Sequence, residues 1–185
     1  VCDATASSAA ESGGLAQQSV GQAPGLAAAQ PVRIHLMKPL IRVMTADDLP
    51  AVFAIEQVSH PSPWPMKGLQ ESLQNHAAFV LEQGGAVIGF AFVQRILDEA
   101  HLLDIAIAPS QRGKGLGREL LRQLMDEVLA VGVTIWFLEV RVSNLAAISL
   151  YQSLGYNELS LRRNYYDGPD GKEDALLMAC STGMG

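Results

Sequence analysis

Residues 112 to 118 read Arg112-Gly113-Lys114-Gly115-Leu116-Gly117-Arg118, and their setting decides the fold. Before them lies His101-Leu102-Leu103-Asp104-Ile105-Ala106-Ile107, a β-prone run. After them, Leu116, Leu120, Leu121, Leu124, Val128 and Leu129 recur along one side of a helix predicted from Gly115 to Val131. Glycines between a strand and a helix start let backbone N–H groups approach an anion, and the helix start adds partial positive charge. Arg112, Lys114 and Arg118 add positive potential in a chain whose net charge is -6. A diphosphate is the ligand this cradle suits. The loop is not a Walker sequence, because no Gly-Lys-Ser/Thr closes a four-residue spacer. Nor is it the dinucleotide fingerprint, which follows the first strand of a βαβ unit. The competing reading is a glycine turn that only caps a helix.

Working outward, Leu40 to Met44 reads as a strand, and Thr45 or Asp47 as the cap of a helix carrying Leu49, Val52, Phe53, Ile55 and Glu56. Ser59-His60-Pro61-Ser62-Pro63-Trp64-Pro65 must be a loop, since its prolines leave no regular ladder. A short helix near Lys67 to Gln74 follows, then strands at Ala78 to Glu82 and Ala86 to Gln94 around a Gly-Gly turn. Beyond the long helix come a strand from Thr134 to Val142 and a helix from Asn144 to Leu154, which Gly155 ends. Two last strands, about Asn157 to Tyr165 and Asp174 to Cys180, flank a turn. The order β-α-α-β-β-β-α-β-α-β-β makes a layered α/β domain over residues 37 to 185. Residues 1 to 36 are rich in Ala, Ser, Gly and Gln without a sustained period. They are expected to be a disordered tail or added upstream sequence, with a weak helix over Leu15 to Ala29 as the alternative.

Composition narrows the function classes. Hydrophobic residues at 49% and charged residues at 17% describe a globular chain. The acidic balance argues against a broad grip on nucleic acid or anionic membrane, and leaves a basic peptide or an amine as partner. No stretch reaches the roughly 18 apolar residues of a membrane span, and the N-terminus shows no secretion signal, so a cytoplasmic location is expected. Cys2 and Cys180 allow one bridge at most. His60, His76 and His101 lack ligand spacing and are expected at surface or helix-end positions, with no metal.

Arg-x-x-Gly-x-Gly between a strand and an amphipathic helix resembles the acetyl-CoA pyrophosphate loop of the GNAT family of N-acetyltransferases. The element order matches over about residues 40 to 180. The resemblance implies a central mixed, mostly antiparallel sheet flanked by helices. It also implies that the backbone of Ile105, Ala106 and Ile107 holds the pantetheine arm and thioester carbonyl. Arg112, Gly113, Lys114, Gly115, Leu116, Gly117 and Arg118 would hold the pyrophosphate of acetyl-CoA.

Acyl transfer from a thioester to an amine needs a base for the amine, donors for the oxyanion and a proton for the thiolate. Glu139, inside the apolar run from Thr134 to Val142, is costly there unless it faces a wet cleft or a partner. The residues leave open a cleft base and an ion pair with Arg141 on the same face. Tyr151 lies seven residues after Asn144, hence about two turns on along one helix face. Its phenol could protonate a thiolate, or its ring could simply be core.

The segment Leu138-Glu139-Val140-Arg141-x-Ser143-Asn144, continuing to Tyr151-x-Ser153-Leu154-Gly155-Tyr156, resembles bacterial ribosomal-protein-alanine N-acetyltransferases of the RimI type. So does Leu161-Arg162-Arg163-Asn164-Tyr165-Tyr166 followed by Glu173-Asp174-Ala175. That resemblance implies Glu139 as general base through water, Tyr151 as general acid and Asn144 as a CoA contact. It implies that Tyr165 and Tyr166 help hold a substrate peptide, with Trp64 of the proline loop walling the cleft. The implied reaction is acetylation of the N-terminal alanine of a small-subunit ribosomal protein, by direct attack in a ternary complex. Alternatives are a GNAT enzyme acting on a small amine or lysine side chain, or a non-catalytic CoA-binding protein. The departures are the long N-terminal extension and the Ser110-Gln111-Arg112-Gly113 start of the loop, neither of which removes a chemical group.

Overall fold

The computed structural model describes residues 38–168 and 171–181. The expected tail, residues 1 to 36, and Cys2 lie outside the described residues. The elements run β1 (Leu40–Val43), α1 (Leu49–Gln57), α2 (Met66–Asn75), β2 (Ala77–Gln83), β3 (Ala86–Ile96), β4 (Glu99–Ile107), α3 (Leu116–Leu129), β5 (Ile135–Arg141), α4 (Leu145–Gln152), β6 (Asn157–Gly168) and β7 (Gly171–Ser181). This is the order the sequence predicts, with β6 and β7 longer than expected. They continue pairing past a bulge to Gly168 opposite Gly171. Neither expected cap serves α1, whose N-cap is Asp48; Thr45 instead caps the short turn before it, in a reciprocal pair with Asp48.

The described strands form one sheet in the order β1-β2-β3-β4-β5-β7-β6. Every neighbouring pair is antiparallel except β4 and β5. Alternation along β3 separates two cores. Ala91 and Val93 face α3, meeting Leu120, Leu121 and Leu124, while Phe90 and Phe92 face α1 and α2, meeting Val52, Ile55 and Leu69. Both faces of the central strands are therefore covered, so these strands read as nearly continuous apolar runs.

The parallel pair sets up the site. β4 and β5 pair only from Glu99 opposite Ile135 to Leu102 opposite Leu138. Beyond that point β4 follows β3 to Ile107, and β5 follows β7 to Arg141. The two strands part where β4 carries a bulge. Phe92 faces Asp104 while Val93 faces Leu102, so Leu103 is an extra residue. A bulge bends its strand and changes which face the later residues of that strand present. Ala100 and Leu102 point into the α3 core, whereas Ala106 points into the α1–α2 core. Asp104 shares that second face, and so does Glu139, whose neighbours Leu138 and Val140 point into the α3 core.

Candidate active site

The glycine loop owes its shape to backbone conformation. Gly113 and Gly115 have φ of 76° and 78°, the left-handed region that other residues enter at a cost of about 1–2 kcal/mol. A Cβ at either position would meet nothing within 4 Å, so conformation, not crowding by protein, selects glycine there. Gly115 is the N-cap of α3, and the N–H of Glu119 makes the bond to its carbonyl. The N–H groups of Leu116, Gly117 and Arg118 precede that bond and have no acceptor inside the helix. These free donors, with Lys114 and Arg118 on the same loop, fit a diphosphate. Arg112 is committed elsewhere: its Nε donates to the Ile107 carbonyl at 2.9 Å and its Nη2 to Ser59 Oγ at 2.8 Å. It braces the loop against the end of β4 and the proline loop. We expect Gly115→Ala to weaken acetyl-CoA binding by about five- to thirtyfold, the equivalent of the left-handed cost. Calorimetry with acetyl-CoA checks this, and unchanged affinity would show that the loop shape does not matter to the ligand.

The gap between β4 and β5 opens beside this loop. On its β5 wall, Glu139 forms an ion pair with Arg162 of β6 and accepts a hydrogen bond from Tyr165. The alternative partner Arg141 is engaged otherwise, pairing with Glu173 at 3.0 Å and lying 4.4 Å from the centre of the Tyr166 ring. The ion pair with Arg141 that the sequence left open is thus not formed. Glu139 remains partly exposed. Tyr165 and Tyr166 follow a bulge in β6, where Asn164 takes a positive φ of 53° and its N–H donates to Asp174 Oδ1. The bulge delivers Tyr165 to Glu139 and lays Tyr166 on Arg141. The hydrogen bond to Glu139 holds the Tyr165 phenol above its usual range. Burial, with the charge of Glu139, pushes Tyr166 up to about 12.

From the other side, Tyr151 of α4 is buried beside Tyr156, ring centroids 5.8 Å apart, in the α3 core. Its phenol also feels Asp104, on the strand beside the gap, and Tyr166. Burial raises it well above the usual phenol range, and it stays protonated at neutral pH. The Tyr151 ring is thus a core aromatic, one of the two readings the sequence allowed. Asn144 is the N-cap of α4, its Oδ1 accepting the Ala147 N–H at 3.1 Å. That bond leaves the amide nitrogen as the atom available to a ligand.

The proline loop joins this wall. Ser62 Oγ donates to the Asp167 carbonyl at 2.9 Å, tying the loop to the Tyr165–Tyr166 end of β6. Trp64 is half-buried and packs on Phe92, centroids 6.0 Å apart, so its indole supports the loop from below. The backbone N–H of Trp64 donates to Glu56 Oε1 at 2.8 Å.

His60 lies just past the end of α1 and is 34% exposed, as expected, but it has partners the sequence did not show. Its Nε2 sits between two buried carboxylates, 3.1 Å from Asp104 Oδ1 and 3.3 Å from Glu56 Oε2. Sequence reasoning passed over this group, although Glu56 on an otherwise apolar stripe was a visible sign. His76 ends α2 as expected, and His101 stacks on Phe137.

A loop shaped for a diphosphate, at the mouth of a gap where strands part, is what a coenzyme A thioester asks of a protein. In class this is an acyl-CoA-dependent N-acyltransferase fold. Residues 49–156 match the acetyltransferase (GNAT) family, and the chain belongs to that family. It is 46% identical over 145 residues to the ribosomal protein bS18-alanine N-acetyltransferase of Escherichia coli strain K12, covering 78% of this chain and 98% of the relative. The corresponding enzyme of Haemophilus influenzae is 39% identical over 143 residues, covering 76% and 97%. The crystal structure of the ribosomal-protein-S18-alanine N-acetyltransferase from Escherichia coli superposes with a TM-score of 0.76 at 45% identity, over 80% of this chain and 96% of that one. No described helix is long and apolar enough to cross a membrane.

Proposed function

We propose that this chain transfers the acetyl group of acetyl-CoA to the N-terminal alanine of a small-subunit ribosomal protein, the eighteenth in the usual count. The observation that carries the peptide reading is the Ser62–Asp167 bond, which joins the proline loop and the Tyr165–Tyr166 hairpin into one wall over Glu139. A peptide end fits such a wall, with its amine directed to the carboxylate. The relatives' activity supports the choice of alanine and of the ribosomal partner.

In this reading Ile105 to Ile107 offer backbone groups on the gap side of β4, where β5 no longer pairs with them. Residues Gly113 to Arg118 hold the diphosphate, with Arg112 bracing their loop, and the Asn144 amide adds a contact. An α-amine, with a pKa of about 7.7–8.0, is already partly neutral near pH 7. Glu139 takes the proton it sheds on attack, through water, and Tyr151 gives a proton to the departing thiolate. Both substrates are present together, since no nucleophilic serine or cysteine is placed in the gap among the described residues. Cys180 is buried behind Leu154, and burial raises its thiol, the reverse of an activated nucleophile. The setting is the cytoplasm, where ribosomal proteins and acetyl-CoA meet.

The test is mass spectrometry of a peptide beginning Ala-Arg, incubated with acetyl-CoA and the protein. A matched peptide with a blocked N-terminus and a free lysine runs beside it. One acetyl group gained on the free α-amine alone is expected. Acetylation confined to lysine, or of neither peptide, would sink the substrate assignment.

A further inference from the structure

The cluster of Glu56, His60 and Asp104 takes no direct part in these proton transfers. It joins the end of α1, the first residues of the proline loop and the bulged part of β4. Glu56 is 1% exposed and Asp104 9%, so both carboxylates sit where unpaired charge is costly. Glu56 Oε2 and Asp104 Oδ2 have no hydrogen-bond partner among the described residues. His60 Nε2 lies between the carboxylates in a shared ion-pair contact, aligned with neither as a single hydrogen bond. Two carboxylates around one imidazole leave a negative excess that protons balance most simply.

We propose that Glu56, His60 and Asp104 are positioning residues for the acetyl transfer: a proton-bridged tie holding the proline loop, and so the peptide wall, in register with the floor of the β4–β5 gap. The inference rests on the reading of that loop as a peptide wall. Glu56 is the pivot, because its second oxygen holds the Trp64 N–H. Arg112 fixes the same loop through Ser59 Oγ and the end of β4 through the Ile107 carbonyl. The loop is thereby tied to the phosphate loop on one side and to the gap on the other.

The charges facing the cluster define its response to pH. Burial, then the negative charge of Asp104, pushes Glu56 up to about 7. Burial opposes the charge on His60, but its close contact with Asp104 and the fields of Asp104 and Glu56 outweigh it, so His60 is raised. Arg112 works against that rise, and the Tyr151 and Tyr166 phenols face Asp104 as neutral groups. A group raised in the folded state contributes stability that is full below its unfolded pKa and is lost as pH rises through its folded pKa. Both shifts have that sign, so the tie is tight at and below neutrality and loosens as pH rises beyond about 7.

Two readouts test this. In steady-state kinetics with the Ala-Arg peptide, Asp104→Asn and His60→Asn are expected to raise peptide KM by about tenfold. Turnover at saturation should stay within about threefold, as for lost ground-state positioning, with acetyl-CoA affinity unchanged. Glu56→Gln, which still accepts the Trp64 N–H and donates to Asp104, should lie between these variants and the parent. Independently of any substrate, tryptophan emission of the parent protein should show a transition as pH rises from 6 to 9, and Asp104→Asn should lack it. If the parent acetylates no peptide but the emission transition is present and Asp104-dependent, the substrate reading fails and the tie stands. A parent without the transition, or an Asp104→Asn variant with parental peptide KM, overturns the tie. Equal losses of peptide and acetyl-CoA affinity overturn it by making the cluster a folding element. A transition that appears only with added zinc and vanishes with chelator overturns it by making the bridge a metal ion.

Discussion

Glu139→Gln is expected to slow turnover at saturating substrates by about 10²–10⁴-fold, the range a positioned general base contributes, while acetyl-CoA affinity stays within about twofold. The substitution keeps the side chain's size and its acceptor for Tyr165, and removes only the negative charge. Arg162 loses its ionic partner, but it is half exposed and solvent takes over at a cost of about 1 kcal/mol or less. Glu139 lies on the face of β5 away from the α3 core, so folding does not depend on its charge. The split between turnover and affinity separates chemistry from scaffolding, since a lost base lowers turnover and leaves binding in place. Loss of acetyl-CoA binding would make Glu139 structural.

The route from sequence to this site was open where the signal is local and closed where it depends on register. Gly113 and Gly115 announce themselves because a left-handed backbone selects glycine within a few residues of a helical period, and both are visible in a string. The helix and strand order is legible for the same reason: apolar spacing is a property of consecutive residues. The partner of Glu139 is different. Arg141 is two positions away and shares its face, which made it the nearest candidate. Yet Arg141 goes to Glu173 across β7, and Glu139 goes to Arg162 on the strand beyond. Only the order β5-β7-β6 and the bulge between Arg162 and Tyr166 decide that exchange.

Asp104 makes the same point more strongly. Its side of the sheet is set by the extra residue at Leu103, and a leucine in a β-prone run carries no mark of a bulge. Without the bulge, alternation from Leu102 would point Asp104 into the α3 core, away from His60 and Glu56. A one-residue change of register moves a whole side-chain set to the other face. The parting of β4 from β5 hangs on the same irregularity, so the gap and the buried cluster were hidden together.

Tyr151→Phe should lower turnover by about 10–100-fold near neutral pH, less than the loss at Glu139, because a thiolate is a fair leaving group. A free thiol has a pKa of about 8.5, so a departing sulfur near pH 7 gains from a proton but does not depend on one absolutely. The phenylalanine ring preserves the contact with Tyr156 and the packing of α4 on the α3 core, so stability should change by no more than about 1 kcal/mol. The phenol is a suitable donor because burial keeps it protonated across the working range. These facts fix the pH dependence of the defect. Below the thiol pKa the proton from Tyr151 matters, and above it sulfur leaves as the stable anion, so the gap between variant and parent should narrow as pH rises past about 8.5. Turnover of both proteins at saturating peptide and acetyl-CoA, measured from about pH 6.5 to 9.5, reads this directly. A defect that holds the same size across the whole range would assign Tyr151 to packing around the gap and leave the thiolate to be protonated from solvent.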